Sequence, residues 1–200
     1  MAYVLRMEAP VPTRPSWNHL FETAAAQDGL FTTEQGAEAG YSPQLLVHYV
    51  RTGRVVRLMR GIYRLVHFPA AEHEDLAAVW LWTRRTGVFS HQTALALHGL
   101  SDVLPAQVHV TLPRDWRSRR LRVPAGVVLH HADVPQADCT WTGPVPTTAP
   151  RRTLEDCANE HLSPELLRQA ARQALQRGLV AKGDLAAVEA ELAPFGGIDP

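Results

Sequence analysis

Six side chains in the N-terminal part of the chain have the chemistry needed to bind a nucleic acid. They are Gln44, His48, Arg51, Arg54, Arg57 and Arg60. Amide and imidazole groups form hydrogen bonds with base edges, while guanidinium groups pair with phosphates. Residues 41 to 66 contain five arginines and no acidic residue, although the formal net charge of the chain is zero. The positive charge is therefore local, and it predicts a polyanionic partner for this segment.

Two predicted helices position the first of these side chains. Thr32 or Thr33 caps a short helix that ends at Gly40, and Ser42 with Pro43 begins a second helix that runs to about residue 52. Helical spacing divides the second helix into two faces. The inward face carries Leu45, Leu46, Tyr49 and Val50, and the outward face carries Gln44, Val47, His48 and Arg51.

A predicted β-hairpin follows the second helix. Residues 54–58 and 62–66 are rich in strand-forming residues, and Gly61 lies in the turn between them. Helix, turn, helix and hairpin in this order indicate a winged helix-turn-helix. We predict that the second helix enters a major groove of operator DNA. Gln44 and His48 then contact bases. Ser42 and Arg51 supply phosphate contacts, and Arg57 and Arg60 supply the contacts of the wing. Arg54 either binds DNA or packs at the helix end. The alternative is a solvated helical hairpin with incidental arginines.

A second basic patch lies in the middle of the chain, beside Trp116. It consists of Arg114, Arg117, Arg119, Arg120 and Arg122, with Asp115 as its acidic residue. Arginine next to an aromatic residue suits DNA, RNA or an acidic protein partner, and a solvated hairpin loop explains it equally well.

No catalytic, metal or cofactor site is expected from the sequence. Ser90, His91 and His98 could suggest a nucleophile and a base, but packing and helix capping explain them at least as well. His130 and His131 are neighbours on a predicted strand and point to opposite faces, so they cannot chelate one ion together.

Composition and patterning predict an α+β protein in the cytoplasm, with 46% hydrophobic residues and no membrane-spanning run. We expect a flexible lead at residues 1–16, a winged helix-turn-helix at 17–68 and a C-terminal α+β domain at 69–200. That second domain has predicted helices at 72–84, 91–98, 153–158, 163–176 and 183–192. Strands at 107–112, 127–131 and 145–148 predict a small antiparallel sheet.

Several motifs in this order resemble proteins of the AbiEi family, which are antitoxins of type IV toxin–antitoxin systems. The motifs are Gly29-Leu30-Phe31-Thr32-Thr33, Gly53-Arg54-Val55, Arg60-Gly61-Ile62-Tyr63-Arg64, residues 90–100 (SHQTALALHGL) and residues 146–154 (PTTAPRRTL). The resemblance covers roughly residues 17 to 185.

The resemblance implies a winged helix-turn-helix that represses its own operon and a C-terminal domain needed for antitoxicity. It also implies a nucleotidyltransferase-like toxin encoded alongside, with direct contact left open. Because one winged domain spans only a few base pairs, we expect two copies on inverted repeats, and a monomer or weak dimer off DNA. The alternatives are an orphan regulator, a protein-interaction module without a toxin partner, and an enzyme acting on nucleic acid.

Overall fold

The computed structural model describes residues 14–69 and 72–199. The chain divides into two compact units, the first ending at Trp82 and the second beginning at Thr83. The architecture is α+β in both units, as predicted. Among the described residues, no helix is long and apolar enough to span a membrane.

The first unit is a winged helix-turn-helix. Its elements are α1 (Trp17–Ala25), β1 (Leu30–Thr32), α2 (Thr33–Glu38), α3 (Pro43–Arg51), β2 (Val55–Met59), β3 (Ile62–Leu65) and α4 (Glu74–Trp82). The three strands form an antiparallel sheet in the order β1-β3-β2, so β2 is an edge strand. The helix-turn-helix is α2 and α3, and the wing is the β2–β3 hairpin. The second helix, the wing strands and their turn lie within two residues of their predicted positions.

Local signals explain where α2 begins and ends. Thr32 and Gln35 form a capping box, in which the Gln35 N–H donates to Thr32 Oγ1 and the Thr32 N–H donates to Gln35 Oε1. Gly40 follows with φ of +85°, and a Cβ there would lie 2.8 Å from the carbonyl oxygen of Arg14. Only glycine fits that turn, which sets the angle between α2 and α3.

The core of the first unit holds α3 against α1 and the sheet. Leu20, Phe31, Leu46 and Leu65 are buried in this core, and the Phe31 and Tyr63 rings stack with their centroids 5.6 Å apart. Burial of this apolar surface is the main force that fixes the position of α3.

The predicted domain boundary between residues 68 and 69 needs correction. Ala77, Ala78 and Leu81 of α4 pack with Leu30 and Ile62 in one buried cluster, so α4 belongs to the first unit. The predicted lead also ends earlier than residue 16, because the Ser16 N–H donates to the Ala39 carbonyl at 2.9 Å. Residues 1–13 of that lead lie outside the described residues.

The second unit combines a five-stranded sheet with four helices. The strands are β4 (Val88–Phe89), β5 (Val108–Leu112), β6 (Val127–His131), β7 (Cys139–Thr142) and β8 (Val145–Thr148). The helices are α5 (His91–Leu97), α6 (Pro150–Asn159), α7 (Pro164–Gln176) and α8 (Ala186–Leu192). Leu95, Leu154 and Leu167 lie in the core that joins the helices.

The sheet of the second unit is mixed, so the antiparallel prediction was wrong. Its order is β6-β5-β4-β8-β7, with β5–β6 and β4–β8 parallel and the other two pairs antiparallel. Strand patterning shows which residues are extended, but pairing direction depends on the connections between strands. The last helix also begins later than predicted, because Lys182–Leu185 form a 3₁₀ turn before α8.

Candidate nucleic-acid interface

Helix α3 is built to present one face to solvent. Its first turn is capped by Ser42, whose Oγ accepts the Leu45 N–H at 3.2 Å, and Pro43 occupies the first helical position. Leu46 is fully buried and anchors the opposite face, where Tyr49 packs edge-on against Tyr41. The helix is therefore held in one rotational setting.

The outward face of α3 is the predicted one. Gln44, Val47, His48 and Arg51 are all exposed. Ser42 is exposed as well, and its hydroxyl keeps a donor for a phosphate oxygen while its oxygen caps the helix. This face offers an amide, an imidazole and a guanidinium over two turns. Whether these groups contact DNA stays a prediction.

The wing adds a second cationic strip. Arg57 lies on β2, Arg60 lies in the turn, and both are exposed. Gly61 has φ of +82° and closes that turn, and the pairing of β2 with β3 shifts register between Arg57 and Met59. Within the residues that the structure describes, no acidic group lies within ion-pair distance of Arg51, Arg57 or Arg60. These three cations are therefore free to meet phosphates.

Two other arginines of the segment, Arg64 and Arg54, already contact side chains of the protein itself. Arg64 Nη1 pairs with Glu74 Oε2 at 3.2 Å, and the Arg64 side chain is only 21% exposed. This ion pair links β3 to α4. The Arg54 guanidinium lies 5.3 Å from the centroid of the Tyr49 ring. Arg54 therefore packs at the end of α3, one of its two predicted positions, while its side chain remains exposed.

The second basic patch lies between two parallel strands, so it is not the hairpin loop of the sequence-based alternative. Residues Arg114–Ser118 form a 3₁₀ turn, and Trp116 is buried as its anchor rather than exposed for stacking on a base. Arg119 lies over the Trp116 ring at 4.2 Å and pairs with Asp115 at 3.4 Å, and Arg114 pairs with Asp133 at 3.7 Å. Among the described residues, Arg117, Arg120 and Arg122 carry exposed charges without such pairs.

The serine and histidines of α5 have structural partners. Ser90 does not cap the helix with its side chain as predicted; its buried hydroxyl lies 2.7 Å from Thr111 Oγ1. His98 Nε2 bonds the Thr148 carbonyl at 2.7 Å, and burial lowers the pKa of His98. Both contacts tie α5 to the sheet, which is the packing role that the sequence analysis favoured over catalysis.

The fold assembles a histidine cluster that the sequence analysis did not identify. One ring nitrogen from each of His91, His109 and His130 lies within 4.8 Å of the others, and His131 is not part of the group. Burial lowers the pKa of His91 to about 3, aided by the neighbouring His130 and His109. The three residues come from α5, β5 and β6, so the cluster follows from strand register and not from any local motif.

Comparison with known proteins supports the N-terminal assignment. Residues 18–66 match the family described as transcriptional regulator, AbiEi antitoxin. The crystal structure of the RV2827C protein from Mycobacterium tuberculosis is similar over 95% of this chain and 82% of that chain, with a TM-score of 0.53 and 17% identity. At that identity the likeness concerns the fold alone. No curated protein matches the chain. The segment that carries α3 and the wing is thus the part of the chain that matches the family of AbiEi antitoxin transcriptional regulators.

Proposed function

We propose that this protein is a DNA-binding transcriptional repressor and the antitoxin of a type IV toxin–antitoxin system. It binds inverted repeats upstream of its own operon, with two copies on the operator. The toxin is a nucleotidyltransferase-like protein encoded beside it, and both act in the cytoplasm. The second unit carries the antitoxin action, without catalysis by this chain.

One observation carries the proposal. The exposed face of α3 and the wing arginines without acidic partners both lie within residues 18–66, the segment that matches the family. The helix supplies groups that can distinguish bases. The wing supplies charge, which gives affinity without sequence preference. A helix with a buried anchor on one side and Gln44 and His48 on the other is suited to insertion in a major groove.

Replacing Gln44 by Ala is expected to change the preference among operator variants. The amide can form two hydrogen bonds with adenine, and each lost base contact costs about 1–3 kcal/mol of discrimination. Competition binding with single-base operator variants measures the effect. The matched control is Gln176→Ala, an exposed glutamine at the end of α7. A preference profile that Gln44→Ala leaves unchanged would count against this placement of α3.

Replacing Arg60 by Ala is expected to weaken specific and random duplexes alike. Loss of one phosphate contact lowers the log–log slope of affinity against salt by about one unit. Arg60→Lys is the control, because it keeps the charge, and we expect it to retain most of the slope. If Arg60→Ala weakens only the specific site, Arg60 contacts a base and the wing assignment is wrong.

We further propose that the exposed arginines of the second patch serve the antitoxin action. Replacing Arg117, Arg120 and Arg122 together by Ser should impair protection from the cognate toxin or overall DNA affinity, and leave the base preference of α3 intact. Arg114 and Arg119 are left unchanged because they already have acidic partners. The charge-preserving triple Lys variant is the control. Wild-type behaviour of the Ser variant in both assays would identify the patch as solvated surface.

A further inference from the structure

The histidine cluster has its own place in the second unit. His109 and His130 lie on the paired strands β5 and β6, where Thr111 is the register partner of His130. His109 is two residues from Thr111 and so shares its face of the sheet, which brings His109 Nδ1 to 3.1 Å from His130 Nε2. The ring of His91, at the start of α5, lies over the ring of His130 with centroids 3.6 Å apart.

The outer nitrogens of two rings have oxygen partners. Glu160 Oε1 lies 3.3 Å from His130 Nδ1, and Ser90 Oγ lies 2.8 Å from His91 Nδ1. A carboxylate beside Nδ1 favours the tautomer with a proton on that nitrogen, which leaves a lone pair on Nε2 of His130. Metal-bound histidines are held in this way, by an oxygen that accepts from the nitrogen not bound to the ion.

From this arrangement we infer that His91, His109 and His130 bind one divalent transition-metal ion of the Zn²⁺ type, with Glu160 as the residue that orients His130. Neutral imidazoles are preferred ligands of Zn²⁺, and three of them with an open fourth position form a known tetrahedral donor set. A cavity of about 30 Å³ lined by His91, His109, Cys157 and Glu160 has room for a water as the fourth ligand. None of the described residues outside this cluster offers a comparable group.

Binding requires a small rearrangement of the rings. Tetrahedral ligands at Zn–N distances near 2.0–2.1 Å lie about 3.4 Å apart, so the ring nitrogens, which lie within 4.8 Å of one another, must approach by up to about 1.4 Å. Because nitrogen lone pairs lie in the ring plane, the stacked His91 ring must also tilt relative to His130. The terminal torsion of histidine has a broad energy minimum and permits such a tilt.

The backbone conformation of His91 suits a metal ligand whose main chain is held in place. His91 has φ of +52°, a left-handed conformation that non-glycine residues rarely adopt. Its surroundings hold it there, since Ser90 is buried and bonded to both Thr111 and His91. The main chain at His91 is thereby held in place before any ion arrives, while the ring can still tilt about its terminal torsion.

The test is Zn²⁺ binding by the full chain without an affinity tag, after chelator treatment and dialysis. We expect one Zn²⁺ per chain by elemental analysis and calorimetry, and a Co²⁺ form with the visible absorption of a tetrahedral site. His109→Gln and His130→Gln should weaken binding more than about 100-fold, and Glu160→Gln about 10- to 100-fold, the range for residues that orient a ligand. His131→Gln is the matched control and should bind as the wild type does.

Several outcomes would overturn the inference. They are a wild-type chain that binds no ion at stoichiometric Zn²⁺, binding that survives both His109→Gln and His130→Gln, and equal loss in His131→Gln. Circular dichroism and thermal unfolding of the metal-free variants show whether each is folded. If the histidine variants are unfolded, the wild-type stoichiometry and Glu160→Gln still decide the question, because Glu160 is 55% exposed and its replacement leaves the core intact.

Discussion

Replacing Leu46 by Ala is expected to lower the free energy of unfolding of the first unit by about 2–5 kcal/mol. Leu46 is the fully buried residue of α3, and Leu45, Tyr49 and Val50 pack only partly buried against the same core. Its truncation leaves a cavity beneath α3, opposite the face proposed to meet DNA. Hydrogen exchange of the α3 backbone amides in the full chain measures the loss. DNA affinity should fall with it, since the recognition helix loses its fixed position.

Val47→Ala is the control for this prediction. Val47 is the next residue along the same helix but is 47% exposed. Surface truncations usually change stability by no more than about 0.5 kcal/mol. Similar exchange rates in Leu46→Ala and Val47→Ala would contradict the assignment of the two faces of α3, and with it the proposed interface.

Replacing Arg152 by Ala is expected to destabilise the second unit by about 3–5 kcal/mol, because it leaves a buried carboxylate without its partner. Arg152 Nε donates to Asp156 Oδ1 at 2.7 Å, and the two side chains are 17% and 9% exposed. Oδ2 of Asp156 is buried without a hydrogen-bond partner within the described part of the chain, so no hydrogen bond there compensates for the loss of Arg152. Chemical unfolding followed by circular dichroism measures the change.

The pH dependence of this variant has a definite sign. Burial raises the pKa of Asp156, and the Arg152 guanidinium opposes that rise. Without Arg152 the folded-state pKa of Asp156 rises further above the unfolded value, so the loss of stability is largest at neutral pH and shrinks as the pH falls through the raised pKa.

Arg151→Ala is the control. Arg151 is 41% exposed and pairs with Glu155 and Asp138, so we expect a loss within about 1 kcal/mol. A larger loss for Arg151→Ala than for Arg152→Ala would contradict this account.

The helix-turn-helix and the wing of the first unit could be predicted closely because their signals are local. Ser42 and Pro43 specify the start of α3, Gly53 follows its end, and Gly61 marks the wing turn, so each boundary depends on residues a few positions apart. Helical spacing then fixed the exposed face of α3. The ion pair between Arg64 and Glu74 could not be predicted in this way, because Glu74 lies on a separate helix that packs back onto the sheet.

The second unit was harder because its organisation depends on distant contacts. The strand Val88–Phe89 has only two residues, too few for an alternating pattern, yet it joins β5 to β8 at the centre of the sheet. The histidine cluster was missed for the same reason. The sequence analysis compared His130 with its neighbour His131, whereas the parallel pairing of β5 with β6 places His109 on the same face of the sheet as His130, with their ring nitrogens 3.1 Å apart.

The central claim is that α3 and the wing bind operator DNA, and a salt series on duplex binding tests it most directly. Fluorescence anisotropy of the full chain is measured with the duplex upstream of its own gene and with a shuffled duplex of the same composition. We predict at least about 10³-fold tighter binding to the upstream duplex, with two copies bound. The log–log slope against salt should be steep, at about −0.9 for each phosphate contacted. Equal affinity for both duplexes with a flat slope would contradict the account and favour a protein-interaction module.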